Sequence, residues 1–383
     1  MKQNVSKTQY VWNRFNIAPE PDEIEVSIFG PGYGESVLLH VGQNKWFIVD
    51  SCIEPISEEP APLTYLRKIN VDPATSVKQV IATHWHDDHI RGLGNIVKTC
   101  ISAEFVCSDA LKLSEFLHIV SAYGVRTMMQ NSGIGEFRKI LEILEERRKL
   151  LKSRYLPIKW AIANRCLWKD YPGSSNCSIY SLSPSDASVL AAKLDFSRLL
   201  PQEKESKKRL ISITPNRSAV VLWVTIGDVI ILLGSDLEEE GDPKTGWSVI
   251  VNTSSCPEGK ASLFKIPHHG SKNAHHGSVW TVMLEDKPVA VVTPYENGKT
   301  TLPSKTDVER ICSLTDKGYT TAINKGGKTT RDRTVEKTIR ETVRSIKQLH
   351  TSIGHVRVRV KPSNPWTVEL FGDALPLNRL YTS

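Results

Sequence analysis

The chain has 383 residues, of which 40% are hydrophobic and 24% charged, the balance of a globular protein of one large domain or two ordinary ones. Its 49 basic residues exceed its 42 acidic ones by seven, an excess compatible with a phosphate-rich partner but too small to require one. No apolar run approaches the ~18 residues needed to span a bilayer, the opening MKQNVSKTQYVWNRF has no signal-peptide core, and the seven scattered cysteines contain no C-x-x-C pair, which argues against a disulfide framework and a cysteine-type zinc site. The expectation is a cytoplasmic protein with no membrane association.

Residues 1–22 read as an N-terminal arm. Tyr10, Trp12, Phe15 and Ile17 would pack on the body, and Pro19 and Pro21 end the segment. Residues 24–29, 37–41 and 45–49 read as strands of an antiparallel meander, joined through GPGYGES and Gly42-Gln43-Asn44. The glycines are not a phosphate loop, because no helix pattern and no Lys-Ser/Thr pair follows them. Asp50 closes the third strand. It either orients a nearby ligand imidazole or simply forms the turn. A short helix at 62–69 and a buried strand at 77–82 lead into THWHDDHIRG at 83–92. There His84, His86, Asp88 and His89 form the pattern H-x-H-x-D-H. Alternate side chains of an extended segment share a face, so His84 and His86 point the same way. A tight turn then returns Asp88 and His89 beside them. The arrangement suits two metal ions, one on His84 and His86, the other on Asp88 and His89. A helix at 93–99 follows, its N-terminus toward the site.

A short strand at 105–107 precedes a helix around 110–123. Residues 136–153 form the clearest amphipathic helix, with Phe137, Ile140, Leu141, Leu144, Leu150 and Leu151 at helical spacing. Strands are expected at 158–163 and 178–183, a helix near 186–195, and an exposed charged loop at 202–209. Strands 219–226 and 229–234 meet at Gly227-Asp228, a hairpin signal. The second runs ILLGSDLEEEG, so Asp236 lies just beyond a buried strand, where one carboxylate can bridge two metals. The strand at 262–266 ends in PHHGSKNAHH, and His268 and His269 again follow a strand end. His275 and His276 read as rim residues. Three strand ends thus deliver ligand atoms to one place. Residues 326–350 set Lys328, Arg331, Arg333, Lys337, Arg340, Arg344 and Lys347 opposite an apolar stripe of Val335, Ile339, Val343 and Ile346. Such a helix packs one face and leaves the other solvated or tracking a phosphate backbone.

H-x-H-x-D-H, GSDLEEEG at 234–241, KIPHHGS at 265–271 and VAVVTPYENGKTTLPSKTDVERI at 289–311 together resemble the metallo-β-lactamase fold family of metal-dependent hydrolases. More narrowly they resemble the hydrolase domain of ComEC-type DNA-uptake proteins and its free-standing relatives. The likeness implies an α/β fold, a four-layer αββα sandwich, over residues 23–325, with a helical insertion near 108–155. Residues 326–383 would add a basic helix and a closing β-hairpin packed on the same domain. It implies two divalent ions, Zn²⁺ or Mn²⁺. His84 and His86 would bind the first, and Asp88, His89 and His268 or His269 the second, with Asp236 bridging. Asp88, Asp236 and His268 become the catalytic candidates. Asp50 and Asn216 stand behind the ligands, and Ser271 and Lys272 face substrate. The implied activity is a phosphodiesterase, foremost a nuclease, acting on nucleic acid or another phosphodiester, with a partner protein or a second copy of the chain as further partners. The alternatives are a hydrolase of a lactone, thioester or phosphocholine ester, and a non-catalytic, metal-stabilised regulator. The chain departs from the family pattern twice. Between the first motif and Asp236 the only histidine is His118, so Asn216 or Thr214 would stand where many members place a third His, an oxygen-rich substitution that suits manganese as well as zinc. The family's Gly-His-Pro before the late helix reads Thr301-Leu302-Pro303.

Overall fold

The computed structural model describes residues 16–30, 34–112, 114–123, 133–170, 176–199, 215–253, 258–297, 300–322 and 353–381. Side chains alternate between the two faces along each strand, and the strands build two facing sheets. β1 (Ile24–Gly30), β2 (Ser36–His40) and β3 (Trp46–Val49) form the antiparallel meander, and β4 (Val77–Ala82), β5 (Glu104–Ser108) and β6 (Ile158–Ala161) extend it in parallel. The chain's late hairpin closes the other edge. β16 (Gly354–Val360) runs antiparallel to β1, from Ile24 opposite Val360 to Gly30 opposite Gly354, and β17 (Thr367–Phe371) lies outside it. The second sheet has the order β18 (Leu375–Pro376), β15 (Gly318–Thr320), β12 (Leu284–Val292), β11 (Ala261–Lys265), β10 (Val229–Leu233), β9 (Leu222–Ile226), β8 (Cys177–Ser181), β7 (Arg165–Lys169). A separate ribbon pairs β13 (Tyr295–Asn297) with β14 (Thr300–Leu302).

Period-two patterning explains the layers. Ile24, Val26 and Ile28 of β1, Val37 and Leu39 of β2 and Ile81 of β4 face Leu222, Val224, Ile231, Leu233 and Val291 of the second sheet, forming the core between the sheets. The intervening residues Leu38, Ile48, Val80 and Phe105 turn outward. They are covered by helices Ala61–Lys68, Leu93–Thr99, Ser114–Tyr123, Gly133–Leu150 and Asp186–Leu199. On the far side Trp223, Leu232, Phe264 and Ala290 meet helices Gly246–Asn252 and Lys305–Leu314. Parallel strands buried on both faces read as near-continuous apolar runs, which is why these were legible. The result is the expected four-layer αββα sandwich.

Several local expectations shift. The helix expected around 110–123 breaks into a 3₁₀ turn, Asp109–Lys112, and the helix Ser114–Tyr123. The amphipathic helix begins earlier, at Gly133, and ends at Leu150. β7, with sequence RCLWK, carries no alternation that would announce it. The charged loop at 202–209, Thr214, the basic segment 326–350 and Tyr10, Trp12 and Phe15 of the arm lie outside the described residues. Among the described residues no helix is long and apolar enough to cross a membrane.

Candidate metal centre

Most polar side chains of the centre come from just beyond a strand: Asp50 after β3, Thr83 to His89 after β4, Asp236 after β10, His268 and His269 after β11, and Thr293 after β12. The backbone turns sharply there. Asp50 (φ 57°), Ser235 (φ 48°), His268 (φ 46°) and His269 (φ 54°) all adopt the left-handed region. Side chains other than glycine rarely occupy it, and such strain collects at functional sites.

Hydrogen bonds fix which imidazole nitrogen is bare. Thr83 Oγ1 donates to Asp50 Oδ2 at 2.7 Å, so it can only accept from His84 Nδ1 at 2.9 Å. His84 Nε2 is then left with its lone pair. His89 Nδ1 donates to Asp50 Oδ2 at 2.8 Å, and His269 Nδ1 to the Thr293 carbonyl at 2.9 Å. Their Nε2 atoms turn toward carboxylates: His89 Nε2 is 3.2 Å from Asp236 Oδ2, and His269 Nε2 is 3.2 Å from Asp88 Oδ2 and 3.6 Å from Asp236 Oδ2. His86 Nδ1 lies 2.8 Å from Asp88 Oδ1. Five of these buried atoms, His84 Nε2, His86 Nδ1, Asp88 Oδ1, His89 Nε2 and Asp236 Oδ1, make no hydrogen bond. Orphaned buried acceptors are costly. A lone pair facing a carboxylate demands something positive between them, and a divalent cation fits that demand. Ligand atoms within 4.8 Å of one another group as His84, His86 and Asp236, as Asp50, His84 and His89, and as Glu35, His89, Asp236 and His269.

The electrostatics carry the same message. Burial works against a charged His89, but the carboxylates of Asp236, Glu35 and Asp88 outweigh it and push its pKa well above the ordinary imidazole value. Burial also opposes charge on His269, and Asp236 and Asp88 again prevail. Burial would raise Asp236, yet His89 and His269 hold it well below the usual carboxylate range. Carboxylates that keep their charge beside imidazoles that hold extra protons mark a cluster whose protons stand in for a cation. His84 is the exception. Burial and the neighbouring His89 keep it neutral.

The structure brings together His84, His86, Asp88, His89, Asp236 and His269, with Asp50 behind His89. His268 is turned aside. Asn216 Nδ2 donates to its Nε2 at 3.2 Å and to Glu238 Oε1 at 2.7 Å. His268 Nδ1 meets Asn273 Oδ1 at 3.0 Å, and Asn273 Nδ2 returns to Glu238 Oε2 at 2.9 Å. This closed ring occupies both nitrogens of His268, while Asn216 Oδ1 stays buried without a partner. Ser271 is half-buried and Lys272 exposed, in the turn that leaves the cluster. Asp87 accepts from the amide of Gly133 and so anchors helix Gly133–Leu150 beside the motif. A Cβ on Gly133 would sit 2.0 Å from the Trp85 carbonyl, so only glycine allows that approach. Sequence reasoning passed over Thr83, Glu35, Lys265 and Thr293. The available signal was Lys265, a charge inside the apolar strand ASLFK.

Residues 29–127, which include the whole first motif, match the family described as Metallo-beta-lactamase superfamily. No curated protein matches the chain in sequence. Among solved structures, the metallo-beta-lactamase fold protein YhfI from Bacillus subtilis is 14% identical over 63% of this chain and 70% of its own, with a TM-score of 0.32. The subclass B3 metallo-beta-lactamase MEM-A1, isolated from a soil metagenome library, is 11% identical over 67% and 83%, with a TM-score of 0.32. The metallo-beta-lactamase SMB-1 is 12% identical over 72% and 81%, with a TM-score of 0.33.

Proposed function

We propose that this chain, which carries a metallo-β-lactamase superfamily domain, is a metal-dependent hydrolase of phosphodiesters, with nucleic acid as the leading substrate, and that it uses two divalent cations, zinc or manganese. The carrying observation is the set of five buried, unpartnered ligand atoms on His84, His86, Asp88, His89 and Asp236. His84, His86 and Asp236 would hold one cation. Asp88, His89 and His269, sharing Asp236, would hold the other. Bound there, the ions would supply Lewis acidity toward a water and toward a phosphoryl oxygen.

The protein's own residues prepare this chemistry. Asp50 keeps the His89 proton on Nδ1, Thr83 does the same for His84, and the Thr293 carbonyl for His269. Three Nε2 atoms are thereby presented inward at fixed angles, and the protons that His89 and His269 hold there would leave as an ion arrives. Two divalent cations exceed the charge of Asp88 and Asp236 together, so the loaded centre is positive and favours an anionic substrate over a neutral lactone or thioester. The KIPHHGS and GSDLEEEG likeness to DNA-uptake hydrolase domains supports the same substrate class. A cytoplasmic location belongs to this reading.

The test is hydrolysis of bis(p-nitrophenyl) phosphate with manganese and with zinc, for wild type and Asp88→Ala, alongside metal analysis of both. The wild type should turn over and the variant should lose at least about 10³-fold in rate. A metal-loaded wild type that leaves the diester intact would remove phosphodiesters and bring lactone and thioester substrates forward.

A further inference from the structure

We infer that Glu35 and Lys265 form a buried charge pair that sets the cation affinity of the centre from behind its ligands, with neither residue binding the metal; the inference rests on the metal-centre reading above. Glu35 immediately precedes β2 and Lys265 ends β11. Their side chains are 3% and 1% exposed, and Lys265 Nζ lies 2.5 Å from Glu35 Oε1. Hydrophobic residues of similar volume would serve packing as well or better, because two charges taken out of water recover little more than their desolvation cost. The position of the pair supplies another reason for it.

Glu35 lies on the far side of two ligand rings. Oε1 is 3.7 Å from His89 Nδ1, and Oε2 is 3.9 Å from His269 Nδ1. Those nitrogens carry the protons, and the bare Nε2 atoms point elsewhere, toward Asp236. Glu35 thus makes its closest approach to both rings at Nδ1, away from the Nε2 atoms that would hold a cation. A carboxylate beside two Nδ1–H groups instead acts through its charge: it favours positive charge on both rings and on a cation they hold. Glu35 Oε2 also accepts from Thr293 Oγ1, whose own carbonyl takes the His269 proton. Its backbone amide donates to the Asp88 carbonyl at 2.9 Å. Lys265 does a second job. Its ammonium reaches the Ser235 carbonyl at 3.2 Å, one residue before Asp236 and within the left-handed bend that presents it. One pair thus lies against the Asp88 backbone, the rings of His89 and His269, and the Ser235 carbonyl that precedes Asp236. Lys265 also neutralises a carboxylate that would otherwise sit buried and unpaired.

Metal-free wild type, Glu35→Gln and the double variant Glu35→Gln/Lys265→Met should be titrated with cobalt(II) against a competing chelator. Three quantities are read: affinity, the visible d–d spectrum, and the metal-free melting temperature. Glu35→Gln leaves a buried ammonium alone and should melt earlier. The double variant removes both charges and should melt at or above wild type, yet bind cobalt about 10–100-fold more weakly with an altered spectrum. A double variant with wild-type affinity and spectrum would overturn the inference and leave the pair a structural element. A double variant that cannot fold would assign the pair to the scaffold and overturn it too. A wild type that takes up no cobalt would instead fell the metal-centre reading, and this inference with it.

Discussion

Two buried polar clusters, one within the first sheet and one at the strand ends of both sheets, differ in how their charge is closed. Where β1, β16 and β17 meet under helix Ala61–Lys68, Arg359 pairs with Glu25 at 2.7 Å and Arg357 with Glu369 at 2.7 Å. Tyr65 accepts from Arg357 at 3.1 Å, and Ser27 links Glu25 to His355. Two guanidiniums answer two carboxylates. At the strand ends, by contrast, Asp50, Asp88, Asp236 and Glu35 have one ammonium between them, Lys265, and ligand atoms are left bare. Burial of charge is common to both clusters and marks neither as functional. Carboxylates answered by imidazoles rather than by guanidiniums, with ligand atoms left without hydrogen bonds, are what separate the site from the scaffold.

The comparison breaks first at Arg359. Arg359→Met leaves Glu25 as an uncompensated buried charge and takes a donor from the Ile17 carbonyl. Unfolding free energy in urea should fall by about 3–5 kcal/mol, while the number of metal ions bound per chain stays the same. A fall under about 1 kcal/mol would mean that the pair contributes no more than a surface contact.

Metal removal probes the other cluster. With free metal at 100–1,000 times its Kd, each cation bound to the folded chain adds about 3–4 kcal/mol to stability. Chelation at constant pH should remove that amount and leave circular dichroism unchanged, because the sheets are held by apolar cores on both faces. Urea midpoints identical with and without chelator would equate the two clusters and count against a resident metal.

The difference between the clusters also explains what could be seen in the sequence. H-x-H-x-D-H was legible because ligand order, strand periodicity and turn all lie within one short segment. Asp236 was legible because it follows the apolar strand VIILL after only Gly234 and Ser235, where a strand end delivers a carboxylate. The choice between His268 and His269 was not. Both follow β11, both are left-handed, and the selection is made by the Thr293 carbonyl on one side and the Asn216–Glu238–Asn273 ring on the other. Those partners arrive from other strands and loops. Glu35 was hidden in a glycine-rich turn that looks like any hairpin. The closing β-hairpin was legible, but what the arginines of its strand HVRVRV face was not. In fact Arg357 and Arg359 face a second buried layer, where Glu25 and Glu369 receive them. A charged residue reads as surface until its buried partner is known.

His40 on β2 belongs to the scaffold side of the comparison and gives it a pH signature. Its Nδ1 donates to the Glu23 carbonyl at 2.7 Å, and the Asn44 amide donates to its Nε2 at 3.2 Å. A second proton therefore has no acceptor to meet. Burial lowers its pKa from 6.5 to about 4, the Glu23 carbonyl works the other way, and the nearby Arg359 charge lowers it further. Between those values the unfolded chain binds a proton that the folded chain refuses. The stability His40 supplies is thus complete above pH 6.5 and is lost as pH falls toward 4, by on the order of 3 kcal/mol in all. This is the reverse of His89, whose surroundings favour charge. Urea unfolding of chelated wild type and His40→Gln at pH 7.5 and pH 4.5 isolates the effect, since titrations shared by both proteins cancel. The cost of the substitution should shrink by about 2–3 kcal/mol at the lower pH. A cost that does not change with pH would mean the ring is not held neutral. Repeating the pair in an Arg359→Met background sharpens the result: with the guanidinium gone, His40 should accept its proton at a higher pH, and the acid-side difference should narrow.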